Sequence, residues 1–272
     1  ATYDDFNDSG DSYVAWSWKA NGGTTTSHSA GDNSATEASV SQANTTSGFS
    51  IVTYTGDTSG HGSTYPSTFN HGLGKTPRMI WTKSRSTNYS WGVYHEDMNT
   101  GSSYNHTIEL DSSDARSSAN NAYWGGNTMT LNNNLFSIGS DNTTGANGVT
   151  YVAYLFADVD GYSKIGKYTG NGSNDGPFVF TGFRPAWVLI KNITSALNWS
   201  LYDDTRFGVG TTQQGNPVLS HIAVNNDNAE FDSTSYPTID ILSNGFKLRI
   251  GGTGSTIAQN LNKSSSDTFI YM

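Results

Sequence analysis

Apolar and polar positions alternate along this chain in short runs rich in Val, Ile, Tyr, Phe, Trp and Thr, each bounded by Gly, Asn, Asp or Pro. Alternation of period two in runs of that composition marks β-strands. The pattern predicts strands near 50–55, 78–83, 91–95, 105–110, 128–131, 135–139 and 149–157. It predicts a second set near 163–168, 177–181, 186–191, 198–202, 219–224, 238–242, 245–250 and 267–272. No window holds an apolar period of 3.6 residues between capping signals, so helix is expected to be nearly absent.

The runs repeat. "PRMIWTKSRSTNYSWGVYHED" (77–97) and "PAWVLIKNITSALNWSLYDD" (185–204) align so that Pro77, Lys83, Trp91 and Tyr94 fall on Pro185, Lys191, Trp199 and Tyr202. "SIVTYTGDTSG" (50–60) likewise aligns with "KIGKYTGNGSN" (164–174), Tyr54 on Tyr168. "SYVAWSWKA" (12–20) matches "TYVAYLFAD" (150–158), and "TFIYM" (268–272) is a shortened third copy. A fixed long period of this kind signals repeated units.

The expected fold class is therefore all-β, two tandem antiparallel β-sandwich modules with little or no helix, a barrel being the alternative. Residues 49–160 form module 1 and residues 161–272 module 2, with 1–19 as the closing strand of a preceding or first module. Residues 20–48 hold no aromatic residue and hardly any large apolar one, which predicts a loose linker or an extended arm with few contacts to its own unit. The junction "DVDG" (158–161) is short, so the two modules are expected to be stiffly joined. Both faces of 151–156 are mostly apolar, placing this strand at the centre of a sheet, and Trp91 and Trp199 are expected as core anchors.

Composition narrows the function. The net charge is −9 with 14 Lys+Arg and no basic run, which argues against nucleic acid as a partner. The longest apolar run, "AWVLI" (186–190), is far short of the roughly 20 residues of a membrane helix. Cysteine is absent, which removes disulfides, thiol nucleophiles and zinc–thiolate clusters and leaves the redox compartment unspecified. The chain begins with Ala, so a fragment or processed product is expected. Only 14% of residues are charged, and neutral amides and hydroxyls keep the surface wet.

No catalytic residues are predicted. The acid pairs Glu96/Asp97 and Asp203/Asp204 recur at equivalent places, as solvated strand-end turns would, although paired carboxylates are also what glycoside hydrolysis requires. The histidines lack ligand spacing and no G-x-S-x-G elbow occurs. Asp5 and Asn7 imitate the start of a calcium loop that fails at its last position, and Asp158 and Asp160 lie in an Asx-rich turn. No metal or other cofactor is expected, with calcium at these four residues as the alternative. Triplets such as those at Asn88, Asn142, Asn192 and Asn198 follow from the abundance of Asn, Ser and Thr and do not by themselves show glycosylation. Aromatic rings stack on sugars while amides and carboxylates take hydroxyl protons, so Tyr104, Asn105, Tyr123 and Trp124 are the glycan-binding candidates; the other reading is that they cap the sandwich.

The phrases "SYVAWSWKA", "GFSIVTYTG", "HGLGKTPRMI", "ILSNGFKLR" and, above all, residues 150–191 resemble a family of tandem β-modules in bacteriophage tail-fibre and virion structural proteins of marine and other environmental phages. The resemblance implies a non-enzymatic segment of a tail fibre or surface decoration, extracellular on the virion surface. Its implied partners are further copies of itself, as a trimer or filament, other virion proteins and a host surface glycan. It carries no catalytic residues. Three alternatives belong to other classes: a secreted carbohydrate-binding module or adhesin, a self-assembling extracellular filament subunit, and a polysaccharide depolymerase.

Overall fold

The computed structural model describes residues 9–57, 66–99, 105–206, 216–232 and 238–272. They form antiparallel sheets with one α-helix, α1 (Thr256–Asn262). In the first half a seven-stranded sheet runs in the order β1 (Thr26–His28), β2 (Ser39–Asn44), β3 (Phe49–Thr55), β9 (Thr150–Phe156), β5 (Met79–Ser84), β6 (Gly92–His95), β7 (Ile108–Glu109). It is backed by the pair β4 (Ser67–Asn70) and β8 (Leu135–Ile138), and Tyr54, Phe69, Ile80, Tyr94, Phe136 and Tyr151 fill the space between.

The second half repeats the plan. A six-stranded sheet runs β10 (Gly166–Thr169), β18 (Thr268–Tyr271), β12 (Trp187–Asn192), β13 (Ser200–Asp203), β14 (Ser220–Ala223), β15 (Phe231–Asp232), backed by β11 (Phe178–Phe180), β17 (Gly245–Leu248) and β16 (Ile239–Leu242). The order β3-β9-β5-β6 recurs as β10-β18-β12-β13. Tyr54 pairs with and stacks on Tyr151, its hydroxyl donating to the Thr144 carbonyl at 2.6 Å; Tyr168 pairs with and stacks on Phe269, its hydroxyl donating to the Leu261 carbonyl at 2.7 Å. The aligned tyrosines likewise hold one register, Ile80 opposite Tyr94 and Val188 opposite Tyr202.

The two large sheets turn their outer faces toward each other. Phe49, Met79, Val93 and Phe156 from one meet Leu189, Trp199, Leu201 and Ile270 from the other in a third apolar core. A strand between two packed layers must be apolar on both faces, which explains the composition of β9: Tyr151, Ala153 and Leu155 face the inner core while Tyr154 and Phe156 face the shared one.

The 20–48 segment departs from the expectation of a loose arm. Strand β2 pairs with β3 along its length, β1 pairs with β2, and Thr36 and Thr68 exchange backbone-to-hydroxyl bonds of 2.9 and 2.8 Å. Side-chain composition misleads here because the backbone amides, which every residue carries, find partners on the exposed edge of β3. Residues 9–20 also depart from expectation and form no strand; Trp16 and Trp18 instead pack on the shared core. Near 128–131 the chain makes a 3-10 turn, Gly126–Thr128, and a single bridge from Leu131 to Phe136. Helix α1 begins at Ser255, whose hydroxyl accepts the Ala258 N–H at 3.2 Å. No described helix is long and apolar enough to cross a membrane.

Candidate functional site

Of the four glycan-binding candidates, Tyr104 lies outside the described residues. Asn105 accepts the Asn120 N–H on its backbone carbonyl at 2.7 Å, and its side-chain oxygen is buried. Tyr123 packs partly buried against the first core, where burial raises its phenol pKa. Trp124 is 0% exposed and meets Tyr94 edge-on at 5.6 Å. It closes the end of the first sandwich and presents no face to a sugar, so the structure corrects that assignment.

Asp5 and Asn7 also lie outside the described residues. Asp158 is engaged by its own chain: Lys164 approaches one oxygen at 2.5 Å, and the Ile165 N–H donates to the other at 2.8 Å, with Arg78 at 3.9 Å. Asp160 is exposed on the same turn. Among the described residues no three acidic or imidazole side chains group as a metal site would. The repeated acid pairs are ion-paired. Glu96 meets Arg78 at 3.1 Å, Asp97 meets Arg78 and Lys167 at 3.4 Å each, Asp203 meets Arg206 at 2.5 Å, and Asp204 meets Arg184.

Groups whose proton affinity is strongly shifted serve as staples. Burial lowers the His71 pKa to about 4, with Nδ1 accepting the Leu73 N–H at 3.1 Å and Nε2 donating to the Asn132 carbonyl at 3.0 Å. Burial lowers His95 to about 4 as well; its Nδ1 accepts the Asp97 N–H at 3.1 Å and its Nε2 faces the Tyr271 carbonyl of the other module at 3.4 Å. His221, lowered to about 4 by burial and then by Arg206, lies between the rings of Tyr202 and Phe231. Lys191, lowered by burial to about 8, donates to the carbonyls of Asn192 at 2.7 Å and Ser113 at 3.3 Å. These contacts tie loops and modules together rather than meeting around one reacting centre.

The cleft best suited to a ligand lies where the N-terminal segment crosses the junction of the modules. It encloses about 430 Å³, walled by Trp16, Trp18, Phe183 and Trp187, with Tyr162, 54% exposed, at its rim. Trp18 stands edge-on to Trp187 at 5.3 Å, and the Arg206 guanidinium lies over the Trp16 ring at 5.4 Å, so both indoles are held in place. Ser17, Ser47 and Ser163 supply hydroxyls beside these rings, and Lys164 an ammonium group. Flat apolar walls with a few hydroxyls and one ammonium group have the shape and polarity that suit a ring-shaped polyhydroxyl ligand. Sequence reasoning missed this cleft because its walls come from separate stretches of the chain, chiefly 15–18, 47–49, 162–164 and 181–188. The alternation of Trp16 and Trp18 was the one local signal.

A family model described as a domain of unknown function (DUF7483) matches residues 1–272. No curated protein and no solved structure matches the chain.

Proposed function

We propose, from a chain that belongs to the DUF7483 family along its whole length, that this protein is a non-enzymatic structural segment of a bacteriophage tail fibre or surface decoration that forms a host-glycan-binding surface. The phage assignment rests on the resemblance of residues 1–20 and 49–272 to virion β-modules. The glycan assignment rests on the tryptophan-walled cleft at the module junction, with Tyr162 at its rim. Ion-paired acids and buried histidines committed to backbone carbonyls support a binding role over a hydrolytic one. The proposed setting is extracellular, on the virion, beside other virion proteins.

Antibody to the chain should label purified phage particles. Fluorescent protein should bind host cells until their surface polysaccharide is stripped, and Tyr162→Ala should weaken that binding about five- to thirty-fold without lowering Tm. Unlabelled particles, binding unchanged by stripping, or release of reducing ends from the polysaccharide would each overturn the proposal.

A further inference from the structure

The duplication allows the two modules to be compared position by position, and they differ at one sheet edge. Strand β4 pairs with β8 as Phe69 opposite Phe136, and β11 pairs with β17 as Val179 opposite Phe246, so Thr68 and Asn70 of module 1 correspond to Phe178 and Phe180 of module 2. In module 1 the arm covers this edge. The Thr68 N–H donates to the Thr36 hydroxyl at 2.8 Å, the Thr68 carbonyl accepts the Glu37 N–H at 3.2 Å, and the Asn70 carbonyl accepts the Ser39 hydroxyl at 2.9 Å. The Asn70 side chain bonds Asn33 and the Asp32 carbonyl. Thr68 and Asn70 are accordingly 7% and 1% exposed.

Module 2 has no such arm between its preceding strand and β10, and Phe178 and Phe180 are 45% and 63% exposed. Among the described residues no strand lies on the outer side of β11. The Leu248 N–H donates to the Pro177 carbonyl at 3.1 Å and the Thr181 N–H to the Asn244 carbonyl at 3.0 Å. Pro177, Val179 and Thr181 therefore turn their backbone groups toward β17, and by antiparallel alternation Phe178 and Phe180 turn theirs outward. The stretch "GPFVFTGF" (176–183) contains no charged residue, whereas exposed edges are ordinarily guarded by charge.

We infer that β11 is a self-association edge whose occupant is β11 of a second copy of this chain. The strand is self-complementary. With a twofold axis through Val179, Phe178 of one copy stands opposite Phe180 of the other, and the outward N–H and C=O groups of both residues are those that hydrogen-bond in that register. The same register places all four phenylalanine rings on one face as cross-strand pairs, joining two three-stranded sheets into one of six. A three-residue strand makes a small contact, suited to copies already concentrated side by side in an assembly. The inference is independent of what the cleft binds.

Sedimentation velocity on the purified chain over a wide concentration range should show a reversible monomer–dimer equilibrium, weakened at least about tenfold by Phe180→Asp. Because the chain has no cysteine, register is testable directly. Under mild oxidation Phe178→Cys mixed with Phe180→Cys should cross-link well beyond either variant alone, since opposed residues lie within disulfide reach. A monomer at every concentration, or cross-linking no greater in the mixture, overturns the inference. So does a dimer unchanged by Phe180→Asp.

Discussion

Trp199 of the second module donates its indole N–H to the carbonyl of Glu109 in the first at 2.9 Å, across 90 residues of chain. Its sequence counterpart Trp91 lies half-buried and stacks on Tyr154 at 6.1 Å. Duplication thus placed the same residue twice, and the face-to-face packing of the sheets made one copy a bolt between modules. Modules that share a core should unfold together, so urea denaturation should show one transition. Trp199→Ala should cost about 3–5 kcal/mol and begin to separate the transitions, while Trp91→Ala costs distinctly less.

The arm should behave as part of the first sandwich. Hydrogen exchange should protect the amides of β2 and β3 alike, and Thr36→Val, which removes the hydroxyl acceptor of the buried Thr68 N–H while keeping the bond from the Thr36 N–H to the Thr68 hydroxyl, should cost about 1–3 kcal/mol and speed exchange over 36–44 first. Exchange as fast over 39–44 as over an unstructured peptide would contradict this.

Strands with apolar runs were legible from alternation alone: β3, β5, β6, β7, β8 and β9, and in the second half every strand except β15. Strands β1, β2 and β4 were not, because their stability comes from backbone pairing and from hydroxyl and amide bonds, which leave no hydrophobic period. The repeat of Tyr54 and Tyr168 showed the duplication, but nothing local in Trp199 shows that it faces another module. The two readings of Trp124, glycan platform and cap of the sandwich, were not separable in the sequence because its Gly- and Asn-rich neighbours resemble an exposed loop, although a loop can carry the plug of a core.

Trp124 and Tyr162 should therefore separate fold from binding. Trp124→Ala opens a cavity beside Tyr94 and should cost about 3–5 kcal/mol, with glycan affinity intact in the fraction that stays folded. Tyr162→Ala should change stability by less than about 0.5 kcal/mol while weakening glycan binding. Thermal melts and glycan-array signals on the two variants test both halves; a glycan signal lost in folded Trp124→Ala would restore the loop as the binding surface.

Stability should also fall in mild acid. Folding keeps His71, His95 and His221 neutral, with pKa values of about 4 in place of the ordinary 6.5. As pH drops, the unfolded chain takes up these protons first, so stability is whole above about pH 6.5 and declines as pH falls toward about 4. Asp203 and Asp267 have lowered pKa values, so their contribution is lost only below the ordinary carboxylate range and does not overlap the upper part of this window. Each imidazole contributes on the order of 2–3 kcal/mol across it. His95→Gln, which cannot titrate, should remove about one proton from the slope of unfolding free energy against pH between 6.5 and 4.5. Its effect should centre on the seam between modules, where Nε2 faces the Tyr271 carbonyl. Urea midpoints at half-unit pH steps for the wild type and this variant measure that slope, and parallel curves would show that His95 takes up its proton in the native protein no later than in the unfolded chain.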